Sequence, residues 1–296
     1  MPRFFQKNYY TNISDIDKVD LLHDYIFYPD IHLPIQSGNS GINAIKSDGN
    51  SIVATYGPIG TQYVTDQWDN LNSALLLDSN GYQYFLPIAP SDISSSIGTF
   101  CFWYRPNFNY GDIAEDKYLI SGNNFLEFYY SKDTHTFTGR IFSGTGFNTI
   151  CVSGTFQKLV MGEWIHVGIG YNCNQGLFIY VSGTLNGVNN VTWETTSVPS
   201  FISIGSISGT SISNADGYID DIRYYCTKLP SSEMLSIKNI SYYFLECDKN
   251  NSLRLKYKIV VNKNNSLRLK YKIVVNYLCL KYVLMMLYKI KEFFNA

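Results

Sequence analysis

Residues 163–181 read EWIHVGIGYNCNQGLFIYV, and this stretch decides the fold that the sequence predicts. From Ile165 to Tyr171 every second residue is apolar, and His166 and two glycines stand between them. A period of two is that of a β-strand, in which successive side chains point to opposite faces. Residues 172–176, which end in Gly176, then lead into a second apolar run. The stretch therefore predicts an antiparallel hairpin.

Similar apolar and aromatic runs recur between clusters of Gly, Asn and Ser. Repeated short strands of this kind are typical of a β-sandwich or a β-barrel. Only residues 15–25 and 231–237 have the pattern of a helix. The clearest runs are ALLLDSNGYQYFLP (74–87), TFCFWYRP (99–106), NFLEFYYS (124–131), FTGRIFS (137–143), FISIGS (201–206) and GYIDDIRYY (217–225). The residues expected to face inward are Phe100, Phe102, Ile165, Val167, Ile169, Ile179 and Ile222.

Seven short pieces occur in the order that is typical of one known family. They are residues 74–78, 100–106, 162–167, 180–183, 204–206, 217–225 and 229–234. Together they resemble the laminin G-like (LamG) jelly rolls of the concanavalin A-like lectin and glucanase superfamily. The resemblance implies an all-β, two-sheet antiparallel jelly-roll sandwich with loops at one rim available for ligands.

This interpretation divides the chain into three segments. We expect a partly helical N-terminal segment at residues 1–21, the jelly roll at 22–240 and a basic tail at 241–296. The tail contains KNNSLRLKYKIVVN twice without a change, at 249–262 and 263–276. Three interpretations of it stay open: an unselected or disordered tail, a segment that contacts a membrane or a partner, and a hairpin added to the sandwich.

Charge is unevenly divided along the chain. Residues 247–296 carry 11 Lys and Arg against two acidic residues, which leaves 12 basic and 22 acidic residues in the rest. Because phosphate binding needs a basic face, the acidic body argues against nucleic acid as a partner.

The N-terminal residues contain no apolar run long enough for the core of a signal peptide. The chain is therefore expected to stay inside a cell, to reach a virion by assembly, or to be a fragment, and a virion or extracellular surface is weakly favoured. The six cysteines form no CxxC pair, and we interpret them as reduced, mostly buried thiols.

Two adjacent carboxylates, Asp220 and Asp221, interrupt the run at 217–225. Strict alternation would turn one of them toward the core. From the residues alone, the simpler interpretation is a strand end with one solvated acid and one acid in a turn. The resemblance implies another, because many members of the superfamily bind calcium through an aspartate on the last strand, to which Asp220 corresponds. Since Ca²⁺ takes several oxygen ligands, Asp78 and Asp30 are candidate companions.

The sequence argues against an enzyme. The carboxylate spacing of the superfamily's glucanases is missing, and the acidic residues Asp112, Glu115 and Asp116 are expected to lie on a solvated loop. No nucleophile elbow or HExxH spacing is present either. We therefore predict a protein that binds and does not catalyse.

The predicted function is a recognition module that binds carbohydrate or a surface, with a glycan or a cell-surface or virion component as partner. Trp103 and Trp164 lie mid-strand and are expected in the core. Trp193 lies in a polar loop, where an exposed ring can stack on a sugar. The alternatives are a structural or adhesive domain of a virion or surface appendage, and an accessory domain detached from a glycoside hydrolase.

Overall fold

The computed structural model describes residues 29–33, 42–46, 51–56, 63–66, 74–77, 84–144, 148–195, 197–207, 215–239, 244–247, 253–259 and 269–275. The helix predicted at 15–25 lies outside them. One helix, α1 (Ser231–Asn239), occurs among the described residues. The strands are β1 (Ile31–Leu33), β2 (Ile42–Lys46), β3 (Ser51–Tyr56), β4 (Tyr63–Val64), β5 (Ala74–Leu77), β6 (Tyr84–Pro87), β7 (Ile97–Pro106), β8 (Lys117–Gly122), β9 (Leu126–Tyr130), β10 (Phe137–Ser143), β11 (Asn148–Ser153), β12 (Ile165–Asn172), β13 (Gly176–Val181), β14 (Thr184–Asn189), β15 (Phe201–Ile204), β16 (Gly217–Tyr225), β17 (Phe244–Cys247), β18 (Leu253–Ile259) and β19 (Leu269–Val275).

The first sixteen strands form two antiparallel sheets. The first sheet has the order β2-β1-β16-β7-β12-β13-β14, and β5 pairs with both β16 and β4. The second has the order β6-β15-β8-β9-β10-β11. Strand β3 pairs with β2 of the first sheet and with β6 of the second, so it connects them. The predicted all-β architecture of two antiparallel sheets is confirmed.

Side chains from both sheets share one core. On β12, Val167, Ile169 and Tyr171 are fully buried, as the alternation in the sequence predicted. Ile169 lies against β10 of the other sheet, where a Cβ added to Gly139 would come within 2.4 Å of its Cδ1 atom. A glycine at this position therefore lets the two sheets approach closely. Of the other residues expected inside, Phe100, Phe102, Ile179 and Ile222 are buried, and Ile165 is partly buried.

Helix α1 covers part of the outer face of the first sheet. Met234 and Ile237 of the helix form a small second cluster with Cys101 and Tyr225 of the sheet. Beneath the helix, a Cβ on Gly168 of β12 would lie 2.7 Å from the Met234 Cε atom. The glycine between Val167 and Ile169 thus leaves room for the helix to pack directly on the strand.

Cys101, Cys151, Cys173 and Cys226 are free thiols. Of these four, only Cys101 is buried, so the expectation of mostly buried thiols is wrong for them. The reason is position: Cys151 lies on the edge strand β11, and Cys226 follows the end of β16.

The chain divides into two compact units, Met1–Lys238 and Asn239–Ala296. The described part of the second unit is a sheet of order β17-β18-β19. Its strands β18 and β19 come from the two copies of the repeat, and Tyr257 pairs with Tyr271, the same position of each copy. No helix in the described ranges is long and apolar enough to span a membrane.

Replacing Ile169 by Ala should lower the free energy of unfolding by about 2–4 kcal/mol, because it removes buried methylene groups at the contact between the sheets. Urea denaturation followed by tryptophan fluorescence measures the change. Val191→Ala is the matched control, because Val191 is 51% exposed and a surface change of this kind costs less than about 0.5 kcal/mol. An equally small cost for Ile169→Ala would show that the core is assigned to the wrong face.

Ending the chain after Asn239 should leave the melting temperature of the sandwich nearly unchanged, because the removed residues form a compact unit of their own. Differential scanning calorimetry of the full and shortened chains compares the two. Loss of a cooperative transition on shortening would instead show that the repeated strands complete the sandwich.

Candidate functional site

The two adjacent carboxylates of β16 lie at a β-bulge. Asp220 pairs with Trp103 of β7, and Arg223 pairs with Cys101, so β16 has one residue more than β7 between these two pairs. Within the bulge, Asp221 has a φ of +52°, a left-handed conformation that Asp adopts more readily than most residues. A bulge of this kind breaks the alternation of side chains along a strand.

The bulge overturns the interpretation of this segment as a strand end. Asp220 and Asp221 are each 2% exposed, and Ile219 and Ile222 on either side are both part of the main core. The extra residue allows both apolar neighbours to face inward while the acids between them are left to the outer face of the sheet. Neither acid is solvated, so each needs a partner inside the protein.

Asp221 is the centre of a buried charge cluster. Arg223 donates a hydrogen bond from Nε to Asp221 Oδ1 at 2.7 Å, and His32 Nε2 lies 2.8 Å from the same oxygen. Because an ionised carboxylate only accepts hydrogen bonds, His32 is the donor. Strand β1 brings His32 to this place, since its register sets His32 directly opposite Arg223. We call these three residues the Asp221 cluster.

The charges of the Asp221 cluster balance. Burial alone would raise the pKa of the Asp221 carboxyl, but the charge of Arg223 and hydrogen bonds from His32 and Arg223 outweigh burial and hold the pKa well below its usual value. Burial lowers the pKa of His32 in spite of the neighbouring carboxylate. At neutral pH the imidazole is therefore neutral, and Arg223 compensates the charge of Asp221.

His166 and Cys101 lie beside the cluster on the same face of the sheet. Burial lowers the pKa of His166 to about 3 and raises the pKa of the Cys101 thiol to about 12. At neutral pH the imidazole is thus uncharged and the thiol stays protonated, the opposite of what a cysteine nucleophile needs. His166 is buried. The arrangement is that of a structural cluster.

The aspartates predicted to hold calcium have other partners where they are described. Asp220 accepts a hydrogen bond from the backbone N of Asp221 at 2.6 Å. Asp30 accepts one from the backbone N of Cys226 and so ties the start of β1 to the end of β16. Asp78 lies outside the described residues. Where the structure describes the chain, no three His, Cys, Asp or Glu side chains are placed to hold a metal. These residues do not fit a calcium site by themselves, and calcium binding stays a prediction.

Trp193 is not exposed on its loop, so that expectation is wrong. Its side chain is only 9% exposed and belongs to the main core, and its backbone N donates to Cys173 O at 3.1 Å. The neighbours Thr192 and Glu194 are exposed, which explains why the segment looks polar in the sequence. A role of Trp193 in ligand binding stays a prediction that its burial does not favour.

The expectation that Trp103 and Trp164 lie in the core is wrong, because both are half-buried and neither belongs to the main core. Phe102 and Tyr104, on either side of Trp103, take the core face of β7, so Trp103 lies on the outer face.

On the acidic loop after β7, Asp116 accepts a hydrogen bond from the backbone N of Lys132 at 2.9 Å. The Glu115 Oε1 atom lies 3.6 Å from the Lys117 Nζ atom. The acids of this loop thus have partners close by.

Three loops meet at one end of the sandwich, and we call them the rim loops. They are residues 107–116 after β7, 131–136 after β9, and 154–164 after β11. Backbone hydrogen bonds join them: Tyr110 N donates to Leu159 O at 3.1 Å, and Gln157 N donates to His135 O at 2.9 Å. The rim loops therefore form one connected surface.

An aromatic cluster that sequence reasoning missed lies on the rim loops. Tyr110 contacts both His135 and Phe156 edge to face, and the ring centroids are 5.5 Å apart in each pair. The Lys158 Nζ atom lies 5.8 Å from the Tyr110 ring. Phe156 is 55% exposed, although phenylalanine is usually buried. Its ring is thus held in position by two neighbours and still open to solvent.

Further apolar side chains are exposed on the loop that carries Phe156. Val160 and Met161, on the same loop, are also exposed, at 37% and 58%. Clustered apolar side chains at a surface mark interaction sites more often than scattered ones do. The signal in the sequence was the segment TFQKLVMG (155–162), whose apolar residues lack the alternation of the neighbouring strands. We take the rim loops as the candidate binding surface.

Asp221→Asn should lower the free energy of unfolding by about 3–5 kcal/mol at pH 7, because it leaves the Arg223 guanidinium buried without its counter-charge. Urea denaturation measures the loss. Asp133→Asn, on an exposed turn, is the matched control and should cost less than about 0.5 kcal/mol. Equal costs for the two variants would contradict the Asp221 cluster.

Several solved structures share the fold of this chain at low identity. The botulinum neurotoxin serotype D binding domain is 11% identical, with a TM-score of 0.55 over 83% of this chain and 69% of that chain. The receptor binding domain of a botulinum neurotoxin C/D mosaic serotype is 9% identical, with a TM-score of 0.56 over 83% and 68%. The binding domain of Paraclostridial Mosquitocidal Protein 1 is 15% identical, with a TM-score of 0.55 over 82% and 67%.

No curated protein sequence matches the chain. A family model does: residues 78–234, more than half of the chain, match the Laminin G 3 family, described as the concanavalin A-like lectin/glucanases superfamily. The match runs from the end of β5 into helix α1 and agrees with the two antiparallel sheets observed here. The resemblance seen in the sequence is thereby confirmed. The chain belongs to the concanavalin A-like lectin/glucanases superfamily.

Proposed function

We propose that this chain is a non-enzymatic recognition module that binds carbohydrate of a cell or virion surface through its rim loops. The observation that carries the proposal is the exposed ring of Phe156, held edge to face by Tyr110. The superfamily includes lectins as well as glucanases.

An exposed aromatic ring suits a sugar because the apolar face of a pyranose can dock on it. A ring that is already fixed loses little conformational entropy on binding, so its apolar contact contributes more fully to affinity. His135 helps to fix this ring, since its own ring lies 6.1 Å from that of Phe156. Lys158 and Lys132 are exposed on the same loops and can donate hydrogen bonds to sugar hydroxyl groups.

Two further features support binding without catalysis. The similar solved structures are named as binding domains. The buried carboxylate of Asp221 is held ionised by its partners, so this group is not the general acid that a glycosidase needs. Burial raises the pKa of Glu127, but this carboxylate is paired with Arg140. The half-buried acids Asp116 and Glu115 have partners close by, the backbone N of Lys132 and the Lys117 ammonium group.

Phe156→Ala should weaken glycan binding by at least about tenfold, the effect expected when a central aromatic contact is removed. The full chain is first screened on a glycan array, and the affinity for the best ligand is then measured by calorimetry. Val191→Ala, another exposed apolar residue that lies outside the rim loops, should bind as the unaltered protein does.

Two outcomes would contradict the proposal. If the folded chain binds no glycan on the array, a structural or adhesive role replaces carbohydrate recognition. If a glycan binds but Phe156→Ala retains full affinity, the rim loops are not the site. The melting temperature of each variant shows that lost binding is not lost folding.

A further inference from the structure

His166 is a buried titratable group that has no part in the proposed binding surface. It lies on β12, is 1% exposed, and its Nδ1 atom makes no hydrogen bond in the described residues. Its ring contacts Trp103 edge to face at 5.3 Å. A neutral imidazole is tolerated in such a place, whereas an imidazolium would need new partners for its charge.

A positive charge on His166 would be unfavourable, because its surroundings already contain positive charges and little solvent. The charged groups that act on it are Asp221 and Arg223 on β16 and Lys238 on α1. Cys101 on β7 and Tyr180 on β13 lie opposite Gly168, two residues along the strand, and the buried Asp220 on β16 lies opposite Trp103, the residue that pairs with His166. The one carboxylate among those acting on it, Asp221, is already bound by Arg223 and His32. Burial disfavours a proton on His166 most strongly, and the charges of Arg223 and Lys238 repel it further.

Helix α1 is the element that closes this face. Met234 packs over Gly168, two residues from His166 along the strand, and Lys238 lies one turn further along the helix. The helix is the last element of the first unit and packs on a small cluster that is separate from the main core. Elements with few buried contacts outside the main core open more easily than the core does.

We propose that α1 is an acid-sensitive latch: protonation of His166 favours a state in which the helix leaves the sheet and uncovers the apolar face formed by Cys101, Phe178, Tyr180 and Tyr225. In the open state His166 reaches water and takes up a proton with its ordinary pKa, near 6.5.

The direction of the pH effect follows from the lowered pKa of His166 in the closed state. The closed state is fully favoured above about pH 6.5 and loses its advantage as the pH falls, because only the open state binds the proton. One histidine changes the opening equilibrium by up to about tenfold per pH unit between that value and the closed-state pKa of about 3.

Cys101 is a natural reporter of the opening, since it is fully buried under the helix. The full chain is treated with 4,4′-dithiodipyridine at pH 7, 6 and 5, and labelling of the Cys101 peptide is followed by mass spectrometry. Each rate is divided by the rate for the same thiol in urea-unfolded protein at the same pH, which removes the effect of thiol ionisation. Far-UV circular dichroism is recorded in parallel.

The relative labelling rate should rise about tenfold from pH 6 to pH 5 while the β-sheet signal is unchanged. His166→Gln should remove most of this rise, and His135→Gln, a half-buried histidine on the rim loops, should keep it. If His166→Gln does not fold, amide hydrogen exchange of α1 in the unaltered chain gives the same test and should show a parallel loss of protection. Constant labelling, an unchanged rise in His166→Gln, or loss of the sheet signal together with labelling would each overturn the latch.

Discussion

The ionised carboxylate of Asp221, buried in the first sheet, determines how several neighbouring strands of this structure are placed. Asp221 is almost inaccessible to water, so its charge has to be met by Arg223 two residues along the strand and by His32 from a strand 189 positions earlier in the chain. Replacing the cluster by apolar residues could be equally stable, but breaking it is costly. The cluster therefore specifies the position of β1 on β16, and with it the pairing of the N-terminal strands.

The same cluster explains the bulge. A regular strand would have turned either an acid or an apolar residue to the wrong face at Asp220 and Asp221. The extra residue, with Asp221 in a left-handed conformation, lets Ile219 and Ile222 both reach the core. The outer face then carries polar groups that are closed off in part by α1. The proposed binding surface lies on the rim loops, which are free to vary because the sheets supply the stability.

Much of the fold could be predicted because the alternation of apolar residues in β12 and β13 indicates strands with one buried face. Burial of Val167, Ile169 and Ile179 follows directly from a period of two. The bulge could not be predicted in this way, since nothing in the letters GYIDDIRYY says that two consecutive residues share a face. The prediction that Trp193 is exposed was wrong for a related reason. Its neighbours are exposed, and only tertiary contacts show that its ring turns inward.

The candidate site was the least predictable part. The role proposed for Phe156 depends on Tyr110 and His135, which come from other loops and contact it only in the folded chain. Carboxylates and tryptophans are the residue types of known sites in the superfamily, and they point to Asp220 and Trp193. Both are buried, whereas the exposed ring belongs to a phenylalanine.

The most direct test of the buried cluster is the titration of the Asp221 carboxyl itself. A ¹³C NMR pH titration, with the signal assigned by its loss in Asp221→Asn, follows the ionisation of this group in the folded protein. The structure predicts that the Asp221 signal does not move between pH 7 and about pH 3, because Arg223 and His32 stabilise the ionised form. A midpoint near 3.9, the ordinary value for an exposed aspartate, would contradict the account of what holds β1 to β16.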